Sequence, residues 1–426
     1  MRVVLGILTG ILLILVIVLG GALAWLVNSR QPYVEPFRPD APEFGQRGEY
    51  TVGVQNFTIS GENRPLNGWV WYPTSGEQDL ANYSEFNGVF ETSGRANWDA
   101  IPLDAGAPYP LVIFSHGSGA SPLLTLFITE HLASQGFVVI ATEHPANTMV
   151  DRLLPSATYD AGVVENYFYR PQDIRRTIDY ALDTLNTGAL SGIIDADKIA
   201  VAGHSFGGYT TFASAGARLN FDALQTWCDA NSGVTLGDLR DEASLTASNR
   251  DVLLTDGVCY LLDEAPIIAE LSGYDSVPSG AWDSFGDERI SAIVALAPWN
   301  APIFGEESLA ELTLPTMIIV GSNDNTTKPE RDAHNFYEWL GSEDKTLVEF
   351  VLGDHSLFVD ICPPLLINFG SFGACSDPVW DLGRAHDITN HLATAFLRAQ
   401  FYDDASAMTA LEIDNIDYAG VTVQRP

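Results

Sequence analysis

Apolar residues along this chain fall into three patterns, and each predicts a different kind of element. Residues 110–115 (PLVIFS) and 137–142 (FVVIAT) are short unbroken apolar runs, as expected of parallel strands buried on both faces. Residues 198–202, 290–296 and 316–320 repeat that pattern and predict three further strands. Residues 123–135 have the length and spacing of a helix, and residues 170–186 set Ile174, Ile178, Ala181, Leu182 and Leu185 on one helical face. Strand and helix in alternation predict a parallel sheet covered on both sides. Residues 50–60 and 66–72 alternate apolar with polar instead, and the polar turn 61–64 makes them an antiparallel pair. Residues 73–108 read as loop.

Two stretches break that rhythm. Residues 219–288 separate the helix expected after residue 205 from the strand at 290–296; they are acidic and include a helical piece at 258–271. An insertion at that point is expected to lie over the strand ends as a cap, where substrates bind. Residues 3–27 are almost wholly apolar, free of acidic residues and flanked by Arg2 and Arg30, which is long enough to span a bilayer. The expectation is a membrane anchor with the remaining chain outside the cytoplasm. The alternative is a signal peptide recognised at Ala22-Leu23-Ala24, giving a secreted product. Residues 28–48, with Pro32, Pro36, Pro39 and Pro42, read as an extended linker, and residues 49–426 as the folded domain.

Composition changes the picture in two respects. With 46% apolar and 18% charged residues among 426, the chain can bury a large core. Its 21 Lys+Arg against 55 Asp+Glu leave a formal charge of −34, which argues against nucleic acid as a partner and against membrane attachment through a basic patch. Four cysteines allow three pairings. The local choice joins Cys228 to Cys259 inside the insertion and Cys362 to Cys375 across one loop, with four buried thiols as the alternative.

The chemistry is concentrated in residues 198–209, KIAVAGHSFGGY, a buried strand running through G-x-S-x-G into a helix-competent stretch. Small residues at 203 and 207 let the strand turn sharply and lift the Ser205 hydroxyl clear of the sheet. A serine hydroxyl is a weak nucleophile and needs a neighbouring base. Where this motif occurs the order is serine, acid, histidine, which leaves His334, His355, His386 and His391 of the eight histidines. His334 falls in an expected helix, and His386 and His391 in a final helical run. His355 follows the apolar strand 346–352 in the turn Gly353-Asp354-His355-Ser356. Asp324 is the carboxylate in the turn that ends strand 316–320, where it would fix the tautomer of the imidazole; an N-cap for the next helix is its plain alternative. Two backbone N–H groups must face the developing oxyanion. Phe206 directly after the serine supplies one, and Ser118 in the glycine-rich loop 116–120 the other. These readings predict an α/β-hydrolase fold, with a mostly parallel central sheet, helices on both faces and a cap-like insertion. They call for no metal and no organic cofactor.

Residues 110–148, PLVIFSHGSGASPLLTLFITEHLASQGFVVIATEHPANT, and 197–212, DKIAVAGHSFGGYTTF, resemble the plasma-type platelet-activating-factor acetylhydrolases and their bacterial, dienelactone-hydrolase-like relatives. The resemblance runs over roughly residues 65–400. It implies Ser205 as nucleophile, Ser118 and Phe206 as oxyanion donors, and His355, followed by Phe358 and Asp360, as base. It also implies short-chain acyl esters or phospholipid-like substrates. One position departs from the pattern: plasma-type enzymes carry their acid just after the strand that is 290–296 here, where this chain has Ala297-Pro298-Trp299. The acid then falls to Asp324, one strand later. That arrangement is similar to bacterial cutinases and polyester hydrolases, whose corresponding tryptophan lines the substrate cleft, and it makes Trp299 a candidate substrate-binding residue. A core tryptophan beside a strand end is the alternative.

The expected reaction is acyl transfer through a Ser205 acyl-enzyme, on a small-molecule or lipid ester. A cutinase-like polyester hydrolase is the enzymatic rival, supported by Trp299 and opposed by an insertion that would obstruct a polymer. A non-catalytic binding protein on the same scaffold is the rival of another class, opposed by the presence of every triad member.

Overall fold

In the computed structural model the strands are, in chain order, β1 (Thr51–Ile59), β2 (Leu66–Thr74), β3 (Ala81–Glu85), β4 (Phe90–Gly94), β5 (Asn97–Trp98), β6 (Tyr109–Ser115), β7 (Val138–Thr142), β8 (Ile194–His204), β9 (Ile290–Leu296), β10 (Thr316–Gly321), β11 (Lys345–Phe350) and β12 (Val421–Gln424). The structure describes residues 18, 20–21, 34–61, 63–85, 90–153, 159–246, 248–361 and 375–426. Successive apolar side chains on the central strands enter opposite cores. Leu111, Ile113, Val138, Ile140, Ile199 and Val201 join one buried cluster, and Val112, Phe114, Val139, Ala141, Ala200 and Ala202 the other. The unbroken apolar runs are therefore a period-two pattern in which neither face is wet.

Ten strands form one sheet in the order β12-β11-β10-β9-β8-β6-β7-β2-β1-β5. From β11 through β7 all pairings are parallel. β1 and β2 pair antiparallel from Thr51↔Thr74 to Ile59↔Leu66, and β2 joins β7 antiparallel. Chain order reverses at β6, which lies between β7 and β8. Such a switch point leaves a crevice at the carboxyl ends of the strands. Here it sets the loop after β6 beside the turn after β8.

Residues 73–108 hold the β3–β4 hairpin and β5 where loop was expected. The hairpin strands ANYSE and FETSG are short and largely polar, so they carry little apolar periodicity. The helix expected at 170–186 is Tyr159–Tyr180, continued by a π turn Ala181–Leu185, and Pro171 lies inside it. Proline removes the N–H that would bond the carbonyl four residues back. That carbonyl, Tyr167 O, instead accepts from the Tyr209 hydroxyl at 2.7 Å, so the helix passes through the proline with the group satisfied.

The expectation of a membrane anchor is corrected. Among the described residues no helix is long and apolar enough to cross a membrane. The two longest, Tyr159–Tyr180 and Leu382–Tyr402, carry charged residues such as Asp160, Glu165, Arg170, Asp173, Arg384, Asp387 and Arg398 along their length. Residues 3–27 lie, apart from Val18, Gly20 and Gly21, outside the described residues. The transmembrane helix, the membrane partner and the membrane localisation drawn from them are withdrawn, while the signal-peptide alternative falls outside the described residues. Residues 34–48, expected as linker, run against the domain: Phe44 is buried and its N–H donates to His391 Nδ1 at 3.1 Å.

Candidate active site

β8 ends at His204, and Ser205 takes φ 59° and ψ −119° before the helix Phe206–Ala215 begins. Left-handed φ is costly for a residue with a Cβ and persists only where the surroundings over-determine it. The Ser205 N–H donates to Leu296 O at 2.9 Å, and its carbonyl accepts from Gly208 N at 2.8 Å and Trp299 N at 3.2 Å. The glycines are sterically required. A Cβ at 203 would overlap the Gly207 carbonyl, and one at 207 the Ser115 carbonyl. A Cβ at Gly117 would lie 3.3 Å from Ser205 Cβ, which shows how closely the loop after β6 approaches the serine.

Asp324 follows β10 and His355 follows β11. His355 Nδ1 lies 2.6 Å from Asp324 Oδ2. Asp324 is fully buried, and its carboxylate accepts from the N–H groups of Thr326 (2.7 Å) and Thr327 (2.9 Å) and from the Thr327 hydroxyl (2.6 Å). Burial alone would raise its pKa, but the charge and hydrogen bond of His355, with the Thr327 and Thr326 donors, hold it below the ordinary carboxylate value. Burial likewise works against the protonated form of His355, and Asp324 outweighs it, so the imidazole is raised above its ordinary value. With Nδ1–H donated to Asp324, Nε2 keeps a lone pair. The His204 ring, next in sequence to Ser205, sits 4.6 Å from the His355 ring and 6.0 Å from Phe358, joining the base's loop to the serine's turn.

Phe206 opens its helix, so its N–H has no acceptor within the helix. Ser118 lies in the loop after β6, where Asn147 Nδ2 donates to its hydroxyl at 3.1 Å. Ser118, Ser205, Asp324 and His355 thus follow the carboxyl ends of β6, β8, β10 and β11, with Phe206 opening the helix after Ser205. Trp299 is half-buried and pinned: its Nε1 donates to the Tyr167 hydroxyl at 2.6 Å, the Arg331 guanidinium lies 4.5 Å over its ring, and a Cβ at Gly257 would come within 2.8 Å of it. Cys228 and Cys259 are joined with Cα atoms 6.0 Å apart. Cys375 is also disulfide-bonded, and Cys362 lies outside the described residues.

Sequence reasoning missed two sets of residues here. One comes from the insertion. Arg240 donates to the Asp324 carbonyl (2.8 Å) and Asn325 Oδ1 (3.1 Å) and pairs with Glu330 (2.7 Å). Lys328 and Arg331 both donate to the Asp256 carbonyl, at 3.2 and 2.7 Å. Burial lowers the Lys328 pKa to about 8. The other set is Arg170, Asp173 and His144, fully buried beneath the loop after β6. Its signal was present: Arg170, Asp173, Ile174, Thr177 and Ile178 share one helical stripe, so two charges lie on the buried face.

The fold defines the class: the chain is an α/β-hydrolase, with Ser205, Asp324 and His355 after strands of its parallel sheet. Its relatives place it beside the platelet-activating-factor acetylhydrolases. Residues 86–152 match the family model "Platelet-activating factor acetylhydrolase, isoform II", and residues 276–363 the model "PET hydrolase-like". The chain is 27% identical over 237 residues to platelet-activating factor acetylhydrolase of Cavia porcellus and 31% identical over 246 residues to that of Canis lupus familiaris. Each alignment covers 42% of this chain and 54% of the relative, so the match spans about half the length of those relatives. Among solved structures, a ferulic acid esterase from Streptomyces cinnamoneus matches 88% of this chain and 97% of its own, with TM-score 0.56 and 18% identity, a likeness of fold.

Proposed function

We propose that this protein is a serine carboxylic-ester hydrolase working through an acyl-enzyme. The observation that carries the reading is the pair of buried Asp324 and half-buried His355, 2.6 Å apart, whose histidine ring packs on His204, the neighbour of a serine held at positive φ on the turn between β8 and its helix. Ser205 Oγ attacks the ester carbonyl while His355 Nε2 takes its proton. Asp324 keeps the Nδ1–H tautomer and stabilises the imidazolium. The N–H groups of Ser118 and Phe206 receive the oxyanion. His355 then returns the proton to the leaving alcohol, and water deacylates the serine by the same path.

The acetylhydrolase relatives favour a short acyl chain on a phospholipid-like ester. A polyester reading is favoured by the PET hydrolase-like match, which covers β10, β11 and both Asp324 and His355. It is opposed by Gly257 of the insertion, packed on Trp299 where a polymer would have to lie. The test uses p-nitrophenyl acetate, a short-chain phospholipid analogue and a polyester film, with a fluorophosphonate as active-site label. Turnover of the soluble esters and labelling of the wild-type protein are expected, with both abolished by Ser205→Ala. Labelling that survives Ser205→Ala, or a wild-type protein inert to every ester, overturns the reading.

A further inference from the structure

Beneath the proposed oxyanion loop lies a buried polar cluster that takes no part in the proton transfers. Arg170 is its hub, with no measurable exposure. One terminal nitrogen donates to the His116 carbonyl at 2.6 Å and, more weakly, to Ser115 Oγ at 3.4 Å; the other donates to Asn147 Oδ1 at 2.6 Å and to the Gly117 carbonyl at 3.2 Å. Its guanidinium also lies 4.5 Å over the ring of Phe206. Gly117 O accepts in addition from His116 Nδ1 at 2.7 Å and from Ala120 N at 3.3 Å. His116 Nε2 in turn accepts from the His144 N–H at 3.0 Å, so the neutral Nδ1–H tautomer of His116 satisfies both contacts. Burial first, and then the nearby Arg170 charge, keep its pKa well below the ordinary histidine value.

The consequence follows from the peptide group itself. The Gly117 carbonyl and the Ser118 N–H belong to one planar trans unit, in which C=O and N–H point in opposite directions. Donors that fix the carbonyl on the buried side therefore aim the N–H away from that side, at the other face of the loop. Asn147 ties down the rest of the loop, donating to Ser118 Oγ at 3.1 Å and accepting from Gly119 N at 3.1 Å. We infer that Arg170, assisted by His116, is a positioning residue for the oxyanion hole, holding the Gly117–Ser118 peptide so that the Ser118 N–H is pre-aimed at the developing charge. Preorganised donors of this kind act only if they need no reorientation as charge appears. Through its stack on Phe206 the same guanidinium braces the residue that supplies the second donor. This inference rests on reading Ser118 as an oxyanion donor of a Ser205 esterase.

The test compares wild type, Arg170→Lys and His116→Gln, each first shown folded by thermal melt. Steady-state rates are taken on p-nitrophenyl acetate and affinities for an aryl trifluoromethyl ketone, which forms a tetrahedral oxyanion on the serine. A lost oxyanion donor costs roughly 10²–10³ in kcat, and a misaimed one less. Arg170→Lys is therefore expected to lower kcat roughly 10- to 100-fold, with KM changed by no more than about 3-fold, and to weaken the ketone by the same factor as kcat. His116→Gln moves both in the same direction by less. A merely structural role would lower the folded fraction and leave kcat per folded molecule and ketone affinity unchanged; that result overturns the inference. Should Arg170→Lys fail to fold, His116→Gln decides. A wild-type protein without Ser205-dependent turnover refutes the esterase reading instead, which is a distinct result.

Discussion

The molecule contains two His–Asp pairs near a serine, and their differences are more instructive than their likeness. In the first, His355 Nδ1 meets Asp324 at 2.6 Å on the loops that flank Ser205. In the second, His144 Nδ1 meets Asp173 at 3.0 Å and His144 Nε2 meets Ser115 Oγ at 2.9 Å. In hydrogen bonds the second is the more complete chain, since it joins serine, histidine and carboxylate, whereas in the first the bond seen is that between His355 and Asp324. The shifts of their titrating groups run in opposite directions. His355 is raised and Asp324 lowered, whereas burial, aided by Arg170 and Arg64, drives His144 well below the ordinary histidine value, and burial raises Asp173. Burial and the two arginine charges thus make His144 a weaker base than His355. Ser115 lies within β6, fully buried, on regular strand backbone, while Ser205 stands on a left-handed turn. Asp173 is shared with Arg64 at 2.8 Å, so the second carboxylate is committed to a cation that cannot be deprotonated. A relay becomes a base only when its carboxylate is free to stabilise the imidazolium.

The sharpest way to break the comparison is to neutralise each carboxylate. Asp324→Asn is expected to lower kcat on the order of 10⁴-fold, the loss typical of a wrong histidine tautomer, with the melting temperature little changed. Asp173→Asn is expected to show the converse. It leaves the half-buried Arg64 against an uncharged partner, a change of up to about 3 kcal/mol in denaturant melts, while kcat of the folded protein falls far less than in Asp324→Asn. Equal kcat losses in the two variants would erase the distinction between the relays.

The pH profile sharpens it further. Catalysis needs neutral His355, and its pKa is raised, so kcat/KM is expected to climb with pH through a midpoint above histidine's ordinary 6.5. The raised His355 stabilises the fold most below 6.5 and loses that contribution as pH rises through its folded value, while the lowered Asp324 loses its own as pH falls below 3.8. A midpoint below 6.5 in kcat/KM would contradict the assignment of the base. The smallest effect is expected at Arg240, which grips the Asp324 carbonyl from the insertion. Arg240→Ala is expected to lower kcat by about tenfold or less, on the order of 1 kcal/mol of lost positioning, without altering the midpoint. An unchanged kcat would mean that the insertion has no hold on the acid.

Much of this was legible because it is local. The runs at 110–115, 137–142, 198–202, 290–296 and 316–320 are strands, and β9 has the expected bounds. G-x-S-x-G marks a turn whose glycines are required by overlaps with Gly207 and Ser115, and Asp324 and His355 each follow the strand that was expected to carry them. What was hidden depends on pairing across the sheet. Nothing in the order of residues says that Arg170 reaches back to His116 and Gly117, or that Arg240 and Asp256 of the insertion meet the 324–331 loop, because those contacts link segments 50 to 90 residues apart. The start of the Tyr159–Tyr180 helix was misplaced because Pro171 reads as a helix opening until the Tyr209 hydroxyl is seen to replace the missing bond.

β12 has a bearing on the molecule's behaviour among its own copies. Residues Val421–Gln424 pair with β11 from Phe350↔Val421 to Leu347↔Gln424, and Val351 N–H donates to Gly420 O at 2.7 Å. β11 is an apolar strand with Leu347, Val348 and Phe350 buried, and without that cover it would present a bare row of amide and carbonyl groups at the rim of a ten-stranded sheet. Such a rim is a template for a foreign strand. The short outer strand, alternately exposed and half-buried, is a poor template in its turn, and the −34 charge discourages copies from approaching it. Resistance to self-association at this rim therefore rests on four residues that contribute nothing to the chemistry, one strand away from the base.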